Sequence, residues 1–137
     1  MLICDTGGLL AWIDGDHPQH DVTRTLMKSA EAVTSPLVLA EFDYLLRARF
    51  SPDQTRAVLE AFFRSGIEVV SLSQDACEQA LQVDRSYADL NVGLADASLV
   101  LAQLYNTTEL LTLDERHFRA MKPLQGGSFR LLPTDLS

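Results

Sequence analysis

Cysteine and positive charge are the two things this chain is short of. It has two cysteines, Cys4 and Cys77, among 137 residues, which excludes a disulfide-built scaffold. A chain of this length buries roughly 68% of its unfolded surface and needs no covalent staple. Cys4 lies in an apolar run and Cys77 in a helical pattern, so both read as small buried hydrophobes, in keeping with a reducing compartment; their spacing alone does not decide whether they pair. Histidine is scarce as well, with three in all. His17 and His20 form an H-x-x-H in a polar stretch without an H-E-x-x-H helix or a thiolate cluster, which argues against zinc. No apolar run approaches the ~20 residues of a membrane span, and no positively charged segment leads into the first apolar stretch. The expectation is a soluble, cytoplasmic protein without a membrane partner.

Lys and Arg number 11 against 19 Asp and Glu, a net charge of −8. That balance excludes a protein that coats nucleic acid nonspecifically, a mode that depends on many cations displacing counterions. It does not exclude a nuclease, because carboxylates gathered around divalent metal contribute to the same negative total. Local positive charge for a phosphate backbone is available from Arg47 with Arg49, or from Arg116, Arg119 and Lys122. Each of these taken singly reads equally well as ordinary solvated surface. Repeats, low-complexity stretches and linkers are all missing, and the expected organisation is a single domain over residues 1–137.

What is present is an alternation of strands and helices. Residues 2–4 read as a buried strand, followed by an apolar helical stretch from Leu9 to Ile13 that stops at Asp14-Gly15-Asp16. Val22, Leu26, Met27 and Ala30 mark one face of a helix, and Ala32 to Thr34 a second strand. Ser35-Pro36 is a cap-and-start signal for a helix reaching about Phe50, and Ser51-Pro52-Asp53-Gln54 is a capping box. Val58, Leu59, Phe62 and Phe63 form the expected buried face of the next helix, with Gly66 as its stop. Ile67 to Leu72 reads as a third strand. Ser73 caps a helix carrying Ala76, Ala80, Leu81 and Val83 inward, a loop covers Asp89 to Gly93, and an apolar helix covers 94–105. Leu110 to Leu113 is a fourth strand, Glu115 to Met121 a short helix, and Phe129 to Leu132 a last strand beyond the turn at Gly126-Gly127. Such an order implies an α/β fold with a parallel sheet covered on both sides. Ligands of open parallel sheets bind beyond the carboxyl ends of the strands, the edge on which Asp5 and Asp114 land.

The acids that stand out do so through their surroundings. Asp96 is the only ionised side chain from Leu90 through Thr108, and on a helix its one-turn neighbours are Val92, Gly93, Leu99 and Val100. An unpaired carboxylate buried there costs several kcal/mol, comparable to the stability of a small domain, so a metal ion or a cation is needed beside it. Asp5, the only charge in the first thirteen residues, repeats the pattern. Glu41 adds a third acid, with Leu37, Val38, Tyr44 and Leu45 one turn away, although Asp43 has a comparable claim to an inward position. Asp114 reads as a ligand and as the N-cap of the following helix, two compatible roles. Four carboxylates, Asp5, Glu41, Asp96 and Asp114, are hard oxygen donors suited to Mg²⁺ or Mn²⁺. The chemistry such a site serves is metal-assisted hydrolysis of a phosphodiester, with Thr6 placed to bond a carboxylate, a water or a phosphate.

These stretches resemble the PIN domain family of metal-dependent ribonucleases, in particular the VapC-type toxins of bacterial toxin–antitoxin pairs. The resemblance rests on Leu2-Ile3-Cys4-Asp5-Thr6-Gly7, on Ala40-Glu41-Phe42-Asp43-Tyr44-Leu45-Leu46, on Leu94-Ala95-Asp96-Ala97-Ser98-Leu99, and on Leu111-Thr112-Leu113-Asp114-Glu115-Arg116-His117-Phe118, in that order along nearly the whole chain. It implies a PIN-like three-layer sandwich with a central five-stranded parallel sheet flanked by helices. It further implies a site of Asp5, Glu41, Asp96 and Asp114 holding Mg²⁺ or Mn²⁺, and endonucleolytic cleavage of RNA with Thr6, Arg47 and Arg116 on the substrate side. A homodimer and a small antitoxin partner also follow from the resemblance. Many members carry Ser at or near Gly7, and Asp89 aligns with an acidic position of some relatives, which makes it a possible outer ligand.

Two other phosphate-handling folds fit less well. A haloacid dehalogenase-type fold needs a second Asp where Gly7 stands. A phosphorylation-receiver domain needs an Asp closing a middle strand, and Ile67 to Leu72 closes without one. The rival of a different class is a non-catalytic PIN-like module that docks a protein partner, and the four intact acids count against it.

Overall fold

The computed structural model describes residues 1–136. Its strands and helices alternate as the patterning requires: β1 (Leu2–Cys4), α1 (Thr6–Ile13), α2 (His20–Ser29), β2 (Ala32–Thr34), α3 (Pro36–Arg49), α4 (Pro52–Arg64), β3 (Glu68–Val69), α5 (Gln74–Ser86), α6 (Leu94–Leu99), β4 (Glu109–Leu111), α7 (Glu115–Ala120) and β5 (Arg130–Leu132). The five strands form one parallel sheet in the order β3-β2-β1-β4-β5, flanked by the helices. β1 is central: Ile3 lies opposite Val33 of β2 and opposite Leu110 of β4. β1 and β2 are buried at every position, as expected for strands covered on both faces.

The chain builds outward from β1 to β2 and β3, then returns to the other side for β4 and β5. The strand order therefore reverses between β1 and β4, and a crevice opens beyond their carboxyl ends, where parallel sheets bind ligands. Both strands deliver acids there. Asp5 follows β1 directly, and Asp114 stands at the start of α7 after β4.

Local signals explain the helix starts. Ser35 accepts from the Leu37 N–H with Pro36 in the first turn of α3, and Ser51 and Gln54 form a reciprocal capping box on α4. Ser73 accepts from the Ala76 N–H at the start of α5. Phe42 of α3 and Phe62 of α4 are fully buried with ring centroids 6.3 Å apart, and Phe118 meets Phe129 edge-on at 5.9 Å.

Several boundaries differ from the sequence expectation. α1 begins at Thr6, three residues before the apolar stretch, because Asp5 caps it. The helix expected over 94–105 ends at Leu99 and gives way to a 3₁₀ turn over Ala102–Leu104. Apolar composition is shared by α- and 3₁₀-helix, so periodicity carries no signal for that break. β3 is two residues long where a run of six was expected, since at the sheet edge only Glu68 and Val69 register with Val33 and Thr34. Phe63 and Leu81 are exposed, at 64% and 44%, where the apolar pattern predicts both inward. Each follows a buried position on its helix, and its neighbour Phe62 or Ala80 already fills the core-facing direction. Cys4 is buried, Cys77 is half-buried, and both are free thiols.

Candidate functional site

Asp5, Thr6, Glu41, Asp96, Asp114 and Arg116 line one open cleft of about 620 Å³ at the carboxyl edge of the sheet. Four elements supply them: the start of α1, the middle of α3, the first turn of α6 and the start of α7. The four carboxylates named from sequence thus converge.

Asp5 is the anchor. It is 3% exposed, its backbone N–H donates to the Leu111 carbonyl at 3.1 Å, and its Oδ1 accepts from the Gly8 N–H at 2.7 Å. Its Oδ2 accepts a short hydrogen bond from the Thr112 hydroxyl, and Thr112 Oγ1 in turn accepts from the Asp114 N–H at 2.9 Å. One threonine hydroxyl therefore ties the acid after β1 to the acid after β4. Asp114 caps α7, its Oδ1 accepting from the His117 N–H at 3.0 Å, so the cap and site positions coincide.

Asp96 sits in the first turn of α6, which starts after Gly93 at φ +87°, a backbone shape that disfavours any side chain. The Gly93 N–H donates to Asp84 Oδ1 at 2.9 Å, which fixes that turn. Behind α6, Ser98 Oγ donates to Ser35 Oγ at 2.9 Å and Tyr105 donates to the Ser98 carbonyl at 3.0 Å. The helix carrying Asp96 is thereby pinned to the N-cap of the helix carrying Glu41.

Sequence reasoning left two contributors unassigned, Thr112 and His117. His117 Nδ1 lies 2.8 Å from Asp96 Oδ2 and 3.0 Å from Asp114 Oδ2. Both residues stand in the Leu111-to-Phe118 segment whose acid drew attention, and the signal that could have found them is proximity: Thr112 two residues before Asp114, His117 one helical turn after it.

Other expected positions differ. Glu41 is exposed and stands at the cleft mouth, not on an inward face, because Val38, Phe42 and Leu46 take the core side of α3. Asp43 pairs with Arg47 at 2.8 Å on the outer surface, and neither lines the cleft. That exposed pair is worth about 0–1 kcal/mol. Asp89 lies on a 3₁₀ turn over Ala88–Leu90 and lines a separate groove with Tyr87 and Ala120. Gly7 leaves room for a side chain, since an added Cβ would meet Asp5 Oδ1 at 3.6 Å and nothing nearer.

The electrostatics show what the cluster demands. Burial pushes the Asp5 carboxyl up to about 7, against the pull of its bonds from Thr112 and Gly8, with Asp96 and Asp114 adding repulsion. Burial also raises Asp96, opposed by the His117 bond and reinforced by the charge of Glu41. For His117, burial acts downward, but the bond to Asp96 and the charges of Asp114 and Asp96 outweigh it and raise the imidazole. The sign for stability follows from Asp5. Its carboxyl holds a proton in the folded chain over the range from ~4 to 7 where the unfolded chain has lost it, so without metal, folding weakens as pH rises through that window. The full span is on the order of 4 kcal/mol. We expect urea midpoints of chelator-treated protein to fall between about pH 4 and 7, and Asp5→Asn to flatten that fall. Parallel slopes for the two proteins would refute this account of Asp5.

The residues present fit a divalent cation. Mutually repelling carboxylates are the hard donor set that such an ion stabilises. Thr6 Oγ1 is buried beside them with no hydrogen-bond partner among the described residues, and a buried hydroxyl in that state points to a missing partner. Among the described residues, the group that brings ligand atoms within 4.8 Å of one another is Asp96, Asp114 and His117.

Comparison with known proteins identifies the family of the chain. The family model for the PIN domain matches residues 2–123. Ribonuclease VapC26 of Mycobacterium tuberculosis is 41% identical over 135 residues, spanning 96% of this chain and 100% of that protein. Among solved structures, Mycobacterium tuberculosis VapC20, described as a sarcin-ricin loop cleaving toxin, superposes with a TM-score of 0.73 at 19% identity, covering 84% of this chain and 91% of that one. VapBC2 from Rickettsia felis, bound to a DNA fragment from its promoter, superposes with a TM-score of 0.65 at 16% identity, over 95% of this chain and 97% of that one. At those identities the two structures speak for the fold alone. With the family model covering most of its length and a full-length relative this similar, the chain belongs to the PIN domain family, among its VapC proteins.

Proposed function

We propose that this chain is a divalent-metal-dependent endoribonuclease acting as the toxin of a toxin–antitoxin pair. The observation that carries the reading is the convergence of Asp5, Glu41, Asp96 and Asp114 with the unpartnered Thr6 hydroxyl in one cleft at the strand-order reversal. Those four carboxylates would hold Mg²⁺ or Mn²⁺. Such an ion, when bound, polarises the scissile phosphate and activates water for attack. The chain's own residues do the rest. Thr112 and Gly8 fix the Asp5 carboxylate, His117 orients Asp96 and Asp114, and Thr6 offers its hydroxyl to a phosphate or to the attacking water. Arg116 lines the cleft and supplies the positive charge an RNA backbone requires on a chain of net charge −8. Arg47, committed to Asp43, is a weaker candidate for substrate contact.

The relative named ribonuclease VapC26 supports RNA as the substrate. A small antitoxin, a homodimeric toxin and a cytoplasmic location complete the reading; no helix among the described residues is long and apolar enough to cross a membrane. A PIN-like module that only docks a partner would have no use for an acidic cluster that burdens the fold, and no observation favours it. The test is a gel assay of the purified chain, freed of any co-purifying protein, on total cellular RNA. Discrete fragments should appear with Mg²⁺ or Mn²⁺ and disappear with EDTA. Intact RNA under both conditions, or cleavage indifferent to chelator, would overturn the proposal.

A further inference from the structure

The tightest grouping of ligand atoms at the site is not made of oxygen alone. His117 Nδ1 stands 2.8 Å from Asp96 Oδ2 and 3.0 Å from Asp114 Oδ2. Neighbouring donors on an octahedral ion with bonds of 2.0–2.1 Å lie about 3.0 Å apart, so each of these two nitrogen–oxygen distances matches the spacing of adjacent donors in a coordination shell. α7 makes this arrangement from its own geometry: Asp114 caps the helix, and His117, one turn on, folds back over the same end. A neutral imidazole with its single proton on Nε2 turns the Nδ1 lone pair toward the two carboxylates.

We propose that His117 is itself a ligand of the divalent cation, through Nδ1 and together with Asp96 and Asp114, and that this nitrogen biases the site toward Mn²⁺ over Mg²⁺. The inference rests on the reading above that these acids hold such an ion. Imidazole suits transition ions, whereas Mg²⁺ favours oxygen and keeps its waters, so one nitrogen in the set separates two ions that a purely carboxylate site treats more alike. In the metal-free protein the same nitrogen serves Asp96 as a hydrogen-bond donor. The tautomer protonated at Nε2 releases it for the ion.

Pulsed electron paramagnetic resonance of Mn²⁺ added to the full chain tests this without reference to cleavage. Loss of the free-ion signal on titration first establishes that Mn²⁺ binds. The bound ion should then show nitrogen modulation that changes isotope pattern when the protein is grown with ¹⁵N-histidine, and that is absent from His117→Asn. The chain has three histidines, so a His17→Gln/His20→Gln protein, leaving His117 untouched, should keep the modulation in full. That protein keeps the test decisive where His117→Asn fails to fold. We expect His117→Asn to weaken Mn²⁺ binding at least about tenfold and Mg²⁺ binding less, read by Mg²⁺ displacement of bound Mn²⁺. Bound Mn²⁺ without nitrogen modulation, or modulation that survives His117→Asn, overturns the role of His117 and leaves the carboxylate site standing. Failure of Mn²⁺ and Mg²⁺ to bind at all overturns the underlying site reading instead.

Discussion

Asp96→Asn should lower metal-dependent RNA cleavage by at least about a hundredfold, the scale of losing one preorganised charged contact at a reacting centre, while leaving the protein folded. The substitution keeps shape and removes charge. Asn can still accept a hydrogen bond from His117 through its carbonyl oxygen, so the 2.8 Å contact that positions the imidazole has a replacement. What it cannot do is supply an anionic oxygen to a cation. Stability should move the other way. Burial raises the Asp96 carboxyl and Glu41 repels it, so in the absence of metal its ionised form burdens the fold, and the neutral amide removes that burden. The expected result is a pair of opposite changes: cleavage on a defined RNA falls steeply, and the thermal midpoint in EDTA stays level or rises. Cleavage at the parental rate would remove Asp96 from the site. A collapse of the midpoint would instead make Asp96 a structural residue whose lost charge unfolds the protein.

That division between function and stability is also what made the acids visible in sequence. A charge alone in an apolar stretch conflicts with its surroundings, and Asp5 and Asp96 announced themselves in this way. Their convergence with Asp114 followed from strand order, because parallel strands send their carboxyl ends to one edge. Glu41 was found for a partly mistaken reason: its helix neighbours are apolar, yet Val38, Phe42 and Leu46 take the core direction and Glu41 reaches the cleft from an exposed position. Helical spacing alone does not reveal that Asp43, four residues earlier, pairs with Arg47 away from the cleft lining. Thr112 and His117 escaped assignment because their roles are tertiary. A threonine in a strand exit and a histidine on a short helix have no local oddity, and only the meeting of β1, β4, α6 and α7 gives them partners. The end of α6 at Leu99 was hidden for the opposite reason, since the apolar run continues past it.

Gly8→Ala should destabilise the chain by about 1 kcal/mol, and Gly7→Ala next to it should not. Both residues lie in the first turn of α1, where replacing Gly by Ala ordinarily gains about 0.5–1 kcal/mol through helix propensity. At Gly7 an added Cβ meets Asp5 Oδ1 at 3.6 Å and Leu113 Cβ at 3.9 Å, ordinary contacts, so the propensity gain stands. At Gly8 it would lie 2.6 Å from the Leu111 carbonyl oxygen and 2.8 Å from Leu111 Cγ. The side chain could rotate away, but the carbonyl oxygen accepts the Asp5 N–H at 3.1 Å and belongs to the strand paired with β1. To relieve the clash, α1 must lift from β4 and stretch that bond, which moves the anchor of the whole acidic cluster. The overpacking cost, about 1–3 kcal/mol, therefore exceeds the helix gain, and the damage reaches the Gly8 N–H that holds Asp5 Oδ1 at 2.7 Å. Urea denaturation of the two variants beside the parent protein measures the difference directly. A midpoint for Gly8→Ala equal to that of Gly7→Ala would show that α1 is free to shift on β4, and the rigid placement of Asp5 would lose its physical basis.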